Sequence, residues 1–154
     1  MNRAWTLGLA LGALGTLACG TPGPRPLAWG EEACAHCHMT LADRRFGAEV
    51  VTRTGRVLVY DDAGCAANAL AGDPALEADL AGLWVVDLTH PDSLLPAASA
   101  YFVRSPSYLT PMGSGVAAFP TAAAADSALG TLQGTRLGWA EVLELARRRE
   151  LGPA

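Results

Sequence analysis

The sequence predicts an α+β protein made of two small related β-β-α-β units packed together, with a C-terminal amphipathic helix. Three observations carry this reading. Short β-prone runs alternate with alanine-rich stretches, the order strand, strand, helix, strand occurs twice, and the last segment repeats its apolar residues at helical spacing.

Before these units lies a segment of a different kind. Residues 1–18 carry Arg3, an apolar run to Leu17 and small residues before Cys19, which is the pattern of a secretory signal peptide. The run is shorter than the about 17–25 residues of a spanning helix. Thr16-Leu17-Ala18-Cys19 looks like a lipoprotein processing site, so Cys19 is expected to be lipidated and to become the new N-terminus. The expected location is extracytoplasmic, at the periplasmic face or cell envelope, with the membrane reached through the lipid anchor. Residues 19–28 then form a flexible tether, because Gly20 to Pro26 (GTPGPRP) has three prolines, two glycines and little apolar surface.

Folding is expected to begin near Trp29, in an N-terminal half over 29–91. FGAEVVTR (46–53) and RVLVY (56–60) read as strands joined by a turn at Thr54-Gly55. Asp61-Asp62 reads as the cap of an alanine-rich helix from Ala63 to Ala71, with Cys65 in its first turn. Gly72-Asp73-Pro74 ends that helix, a short helical turn follows through Leu80, and LWVVDL (83–88) reads as a buried strand.

The C-terminal half, 92–150, opens with an irregular proline-flanked linker over 92–98. AYFVR (100–104) and VAAF (116–119) are strand-like and flank a Gly/Pro-rich loop, SPSYLTPMGSG. Pro120-Thr121 opens a second alanine-rich helix through Leu129. QGTRL (133–137) reads as an edge strand, and residues 139–148 as the amphipathic helix, turning Val142, Leu143 and Leu145 inward.

Charge narrows the function classes. The net charge is −4, lysine is absent, and the largest basic cluster is Arg147-Arg148-Arg149. Nucleic acid is excluded as an expected partner, since phosphate neutralisation needs a basic face. No Ser-His-Asp set, phosphate-cradling glycine loop or facing carboxylate pair suggests an enzyme.

The chemistry is concentrated in Cys34-Ala35-His36-Cys37-His38-Met39, with Cys65 and Met112 further along. With Cys19 assigned to lipid, three cysteines remain, an odd number that cannot pair fully within the chain. Three readings compete. Cys34, Cys37 and His38 spell the CxxCH attachment pattern of covalent haem, although alternating strands and helices suit a porphyrin wrap poorly. Cys34 and Cys37 form a CxxC that could exchange disulfides, but no central strand precedes it. The third reading is a soft-metal site: thiolate plus thioether favours Cu(I), and thiolates with imidazole also accept Zn(II). Asp61 and Asp62 are read here as caps, because hard carboxylates suit Cu(I) poorly.

The spellings CHMTLADRRFGAEV, VLVYDDAGC and YFVRS followed by TPMGSGVAAF together resemble the NosL family of nitrous oxide reductase accessory proteins, over most of Glu32 to Leu145. The resemblance implies a lipid-anchored Cu(I)-binding copper chaperone. It implies a copper-accepting apoprotein as partner, nitrous oxide reductase foremost, an upstream copper donor, and a fold of two related α+β halves. The family's Cys-x-Met element falls on Cys37 and Met39, and its Pro-Met-Gly loop on Met112. Relatives with the same DD-x-G-C spelling place a cysteine at Cys65. His38 departs from the family, which usually carries glycine or glutamine there. Cys37, Met39 and Met112 are thus the implied metal ligands, with Cys65, Cys34 and His38 as further candidates and His36 behind them. A zinc site on Cys34, Cys37 and Cys65 is the alternative within the metal class.

Overall fold

The structure, a computed structural model, describes residues 23–152, so the expected signal peptide and Cys19 lie outside the described residues. The chain order is β1 (Ala48–Thr52), β2 (Val57–Tyr60), α1 (Ala63–Gly72), α2 (Pro74–Ala78), β3 (Leu80–Asp87), β4 (His90–Pro96), β5 (Tyr101–Arg104), β6 (Val116–Phe119), α3 (Ala122–Leu129), β7 (Thr135–Leu137) and α4 (Trp139–Arg147). The fold is α+β, with seven strands in one sheet and four helices among the described residues. None of these helices is long and apolar enough to cross a membrane.

Local chemistry accounts for most boundaries. Each of the first three helices starts on a side-chain cap. Asp62 accepts the Cys65 N–H at 2.7 Å, Asp73 accepts those of Ala75 and Leu76, and Thr121 accepts that of Ala124 at 3.1 Å. Pro74 sits in the first turn of α2, where its missing N–H costs nothing. α4 starts at Gly138, whose N–H donates to the Glu141 carboxylate at 2.6 Å, and it buries Val142 and Ala146.

One expectation fails: residues 92–98 are not an irregular linker. Most of that stretch belongs to β4, which pairs antiparallel with β3 through Val85↔Leu95 and Val86↔Leu94. Pro91 and Pro96 tolerate this because an outer strand need not donate on its solvent side. The pattern is set by its partner rather than by its own propensity.

The sheet runs β2-β1-β3-β6-β5-β7, with β4 beside β3. Pairs are antiparallel except β3 with β6, which meet in parallel at Asp87↔Ala118. Strands β5 and β6 are buried on both faces. Phe102, Val116 and Ala118 join the larger core with α1 and α4, whereas Val103, Ala117 and Phe119 face α3 with Phe46. The Phe102 ring lies 5.8 Å from that of Trp139, tying β5 to α4.

The chain engages this body before Trp29. Leu27 is buried, and the Arg25 N–H donates to the buried Glu49 carboxylate at 3.2 Å.

Candidate metal centre

β2 delivers the chain to the site. It ends at Tyr60; Asp61 and Asp62 follow, and α1 begins at once with Cys65 in its first turn. The loop carrying Cys34 to Met39 folds over this corner. The Ala35 N–H donates to the Val59 carbonyl at 2.8 Å, the His38 N–H to the Cys34 carbonyl at 3.0 Å, and the Cys34 N–H to the Met39 carbonyl at 2.8 Å. The tight turn requires His38 to adopt φ +62°, the left-handed region in which glycine is unstrained.

The result is a convergence of Cys34, Cys37, Cys65 and Asp61. One donor atom from each lies within 4.8 Å of every other, and the three cysteines are unpaired by disulfides. Cys34, Cys65 and Asp61 are buried, while Cys37 is half-buried and gives the cluster its opening. The Cys37 thiol donates to Asp61 Oδ2 at 3.2 Å. Asp61 Oδ1 has no partner, alone among the buried side-chain oxygens and nitrogens of the described residues. Leaving such an acceptor unsatisfied costs about 1–3 kcal/mol, a cost that a bound cation would remove.

The thiols are electrostatically unequal. Cys34 is pulled down to about 6, first by a hydrogen bond from the Cys65 thiol, with the N–H groups of Cys37, Asp61 and His36 adding to it against the cost of burial. Cys65 is pushed well up, because it is the donor in that bond and is itself buried. Cys37 rises to about 11, chiefly through burial and then through its bond to Asp61. One thiolate held by backbone amides beside two thiols fits a soft cation, which would replace the two protons.

Asp62 performs the capping expected of the acidic pair, and it does more. Its Oδ2 accepts from the Ser114 hydroxyl at 3.1 Å and from the Met112 N–H at 3.3 Å, which clips the Pro-Met-Gly loop to the helix bearing Cys65. Burial pushes the Asp62 carboxyl up, opposed by the donors that surround it. Contact is close: a Cβ on Gly64 would lie 2.3 Å from the Ser114 Cβ.

The sequence-named residues therefore separate. Cys34, Cys37 and Cys65 come together. Met112 is partly buried against the core and linked to the site through Asp62, whereas Met39 is 53% exposed and His38 is also exposed. Asp61 was expected to be a cap and instead belongs to the cluster, because one helix start needs one such side chain and Asp62 supplies it. The doublet itself was the available signal. Neither competing reading of the CxxCH spelling has its usual frame: residues 34–39 form a turn rather than a helix start, and Cys34 has no exposed surface to offer a porphyrin.

The crystal structure of the copper chaperone NosL from Shewanella denitrificans is similar in fold, with a TM-score of 0.68 and 19% sequence identity over 78% of this chain and 96% of that one. No curated protein matches the chain. Residues 28–145, which include every member of the thiol cluster, the Met112 loop and most of α4, match the NosL family, and the chain belongs to that family.

Proposed function

We propose that this protein is an extracytoplasmic, lipid-anchored copper chaperone that carries Cu(I) to an apoprotein, nitrous oxide reductase being the expected acceptor, after loading from an upstream donor. The observation that carries the proposal is the convergence of three thiols on one point with a half-buried opening at Cys37. Family membership and the likeness to a solved copper chaperone support it.

Soft thiolates suit Cu(I), which is stable with two, three or four ligands. Cys34, Cys37 and Cys65 are the proposed resting ligands. Exposed Met39 and His38, and Met112 on its clipped loop, are proposed as rim ligands that receive or release the ion through Cys37. An acceptor's ligand can then bind before a donor's leaves, so the ion is passed without being freed. The protein is a carrier and not an enzyme.

The anchor proposal rests on the segment up to Cys19. The division into halves over 29–91 and 92–150 is likewise proposed, with β4 lying across the boundary. It draws support from strand order, since the first strand of each unit lies between the second and the last, β2-β1-β3 and β6-β5-β7.

The test is an anaerobic titration of the reduced protein with Cu(I) against a chromophoric chelator. One Cu(I) is expected to be withdrawn from the chelator, with Cys37→Ser weakening binding more than Met112→Leu. A reduced protein that leaves all copper with the chelator overturns the proposal.

A further inference from the structure

We propose that Asp61 is a fourth ligand, which lets the thiol cluster hold a tetrahedral divalent cation of the Zn(II) class and sets how sharply the site separates Cu(I) from Zn(II). This rests on reading the cluster as a metal site, and it goes beyond the copper assignment.

Asp61 has no other employment. The cap of α1 is Asp62, and Asp61's carboxylate turns instead to the thiols, accepting from Cys37 at 3.2 Å and helping to hold Cys65 protonated. Its second oxygen is buried and unpartnered, in a residue only 1% exposed. A buried carboxylate with one oxygen within 4.8 Å of three sulfur atoms and the other left without a partner is part of a donor set.

The set has the count and chemistry of a closed zinc site. Zn(II) binds Cys sulfur and Asp oxygen in tetrahedral shells whose ligand atoms stand about 3.6–3.8 Å apart at the usual bond lengths. Here the four donor atoms already lie within 4.8 Å of one another, so small side-chain rotations would seat the ion. Cu(I) gains little from a hard oxygen, and a trigonal set of thiolates satisfies it without one. Charge points the same way. Three thiolates and a carboxylate together carry four negative charges, and a divalent ion offsets one more of them than a monovalent ion does inside a buried site. Asp61 therefore favours the divalent competitor, while the sulfur atoms serve both ions. Cys37, half-buried where the other three donors are buried, is the route of entry for either.

Three measurements on the reduced, purified protein test this. Co(II), a spectroscopic substitute for Zn(II), should give the intense visible bands of a tetrahedral thiolate site. Zn(II) competition against a chromophoric chelator should show Asp61→Asn weaker by at least the roughly 10–100-fold that follows loss even of an outer-shell partner. Its Cu(I) affinity should change far less than its Zn(II) affinity, and far-UV circular dichroism reports separately that the variant is folded. Asp61→Cys, which keeps four donors, should retain Co(II) and move its bands to lower energy. Native-like Zn(II) affinity in Asp61→Asn, weak octahedral Co(II) bands in the native protein, or unmoved bands in Asp61→Cys would each overturn the role of Asp61. Cu(I) binding without Zn(II) binding removes this inference alone, whereas failure to bind Cu(I) removes the chaperone proposal.

Discussion

At the scale of single residues, the inequality of the three thiols has a consequence in the metal-free protein. Cys34 titrates near 6 in the folded chain, held down first by the Cys65 thiol, whereas an unfolded cysteine titrates at about 8.5. Between those values the unfolded chain binds more protons than the folded one, so stability gains with rising pH. The contribution is full above the unfolded value and is lost as pH falls through about 6. Cys37, raised by burial to about 11, acts in the opposite sense, and its favourable share is lost as pH climbs from the unfolded value toward 11. Urea unfolding under reducing conditions should therefore show stability rising from pH 6 to about 8.5 and declining above. Cys34→Ser should flatten the rising limb, and an unchanged limb would show that no thiolate is stabilised there. Sequence alone brought the three cysteines into consideration but could not rank them. Their differences come from backbone amides and from burial, which depend on how the turn at 34–39 is seated.

At the scale of elements, the sequence was legible wherever an element encodes its own ends. Asp62 and Thr121 mark helix starts, β1 and β2 flank a glycine turn, and α4 turns Val142, Leu143 and Leu145 inward, with Val142 fully buried. It was illegible in β4, whose pairing is imposed by β3, and at Asp61, whose place in the site depends on a loop 24 residues earlier. Asp62 joins two elements, which yields a prediction. Asp62→Ala removes the α1 cap, worth about 0.5–2 kcal/mol, and strands the Ser114 and Met112 donors at a further cost of about 1–3 kcal/mol each in proportion to their burial. Chemical denaturation should show a loss of about 2.5–8 kcal/mol, toward the lower end because Met112 is only partly buried, with Asp62→Asn milder because its amide oxygen can still cap. Gly64→Ala should loosen the Met112 loop chiefly through its new Cβ, which would stand 2.3 Å from the Ser114 Cβ and would also crowd the capping Oδ1 of Asp62 at 3.1 Å. Proteolysis within residues 110–115 is the readout that distinguishes a displaced loop from a weakened helix.

At the scale of the whole molecule, the candidate centre is held from three directions: by the N-terminal loop over β2, by the start of α1, and by the Met112 loop entering from the second part of the sheet. A fourth support comes from the end of the chain, beyond the family match at residue 145. Leu151 is fully buried in the main core, and Gly152 adopts φ +87° so close to the Met112 loop that a Cβ would stand 2.5 Å from the Met112 carbonyl oxygen. The Arg104 guanidinium at the end of β5 donates to the Glu150 carbonyl and fastens the same segment. The sequence gives no hint of this buttress, because a leucine near a terminus carries no periodicity to place it. Leu151→Ala should cost about 2–5 kcal/mol, the usual range for a buried leucine truncated to alanine. Its effect should also be uneven across the molecule. Hydrogen exchange should quicken first at Met112 and Gly113, where the C-terminal segment packs, while amides of β1, two strands from β6 in the sheet order, keep their relative protection. Uniform loss of protection would mean that Leu151 supports only the core at large and that the Met112 loop is held by Asp62 alone.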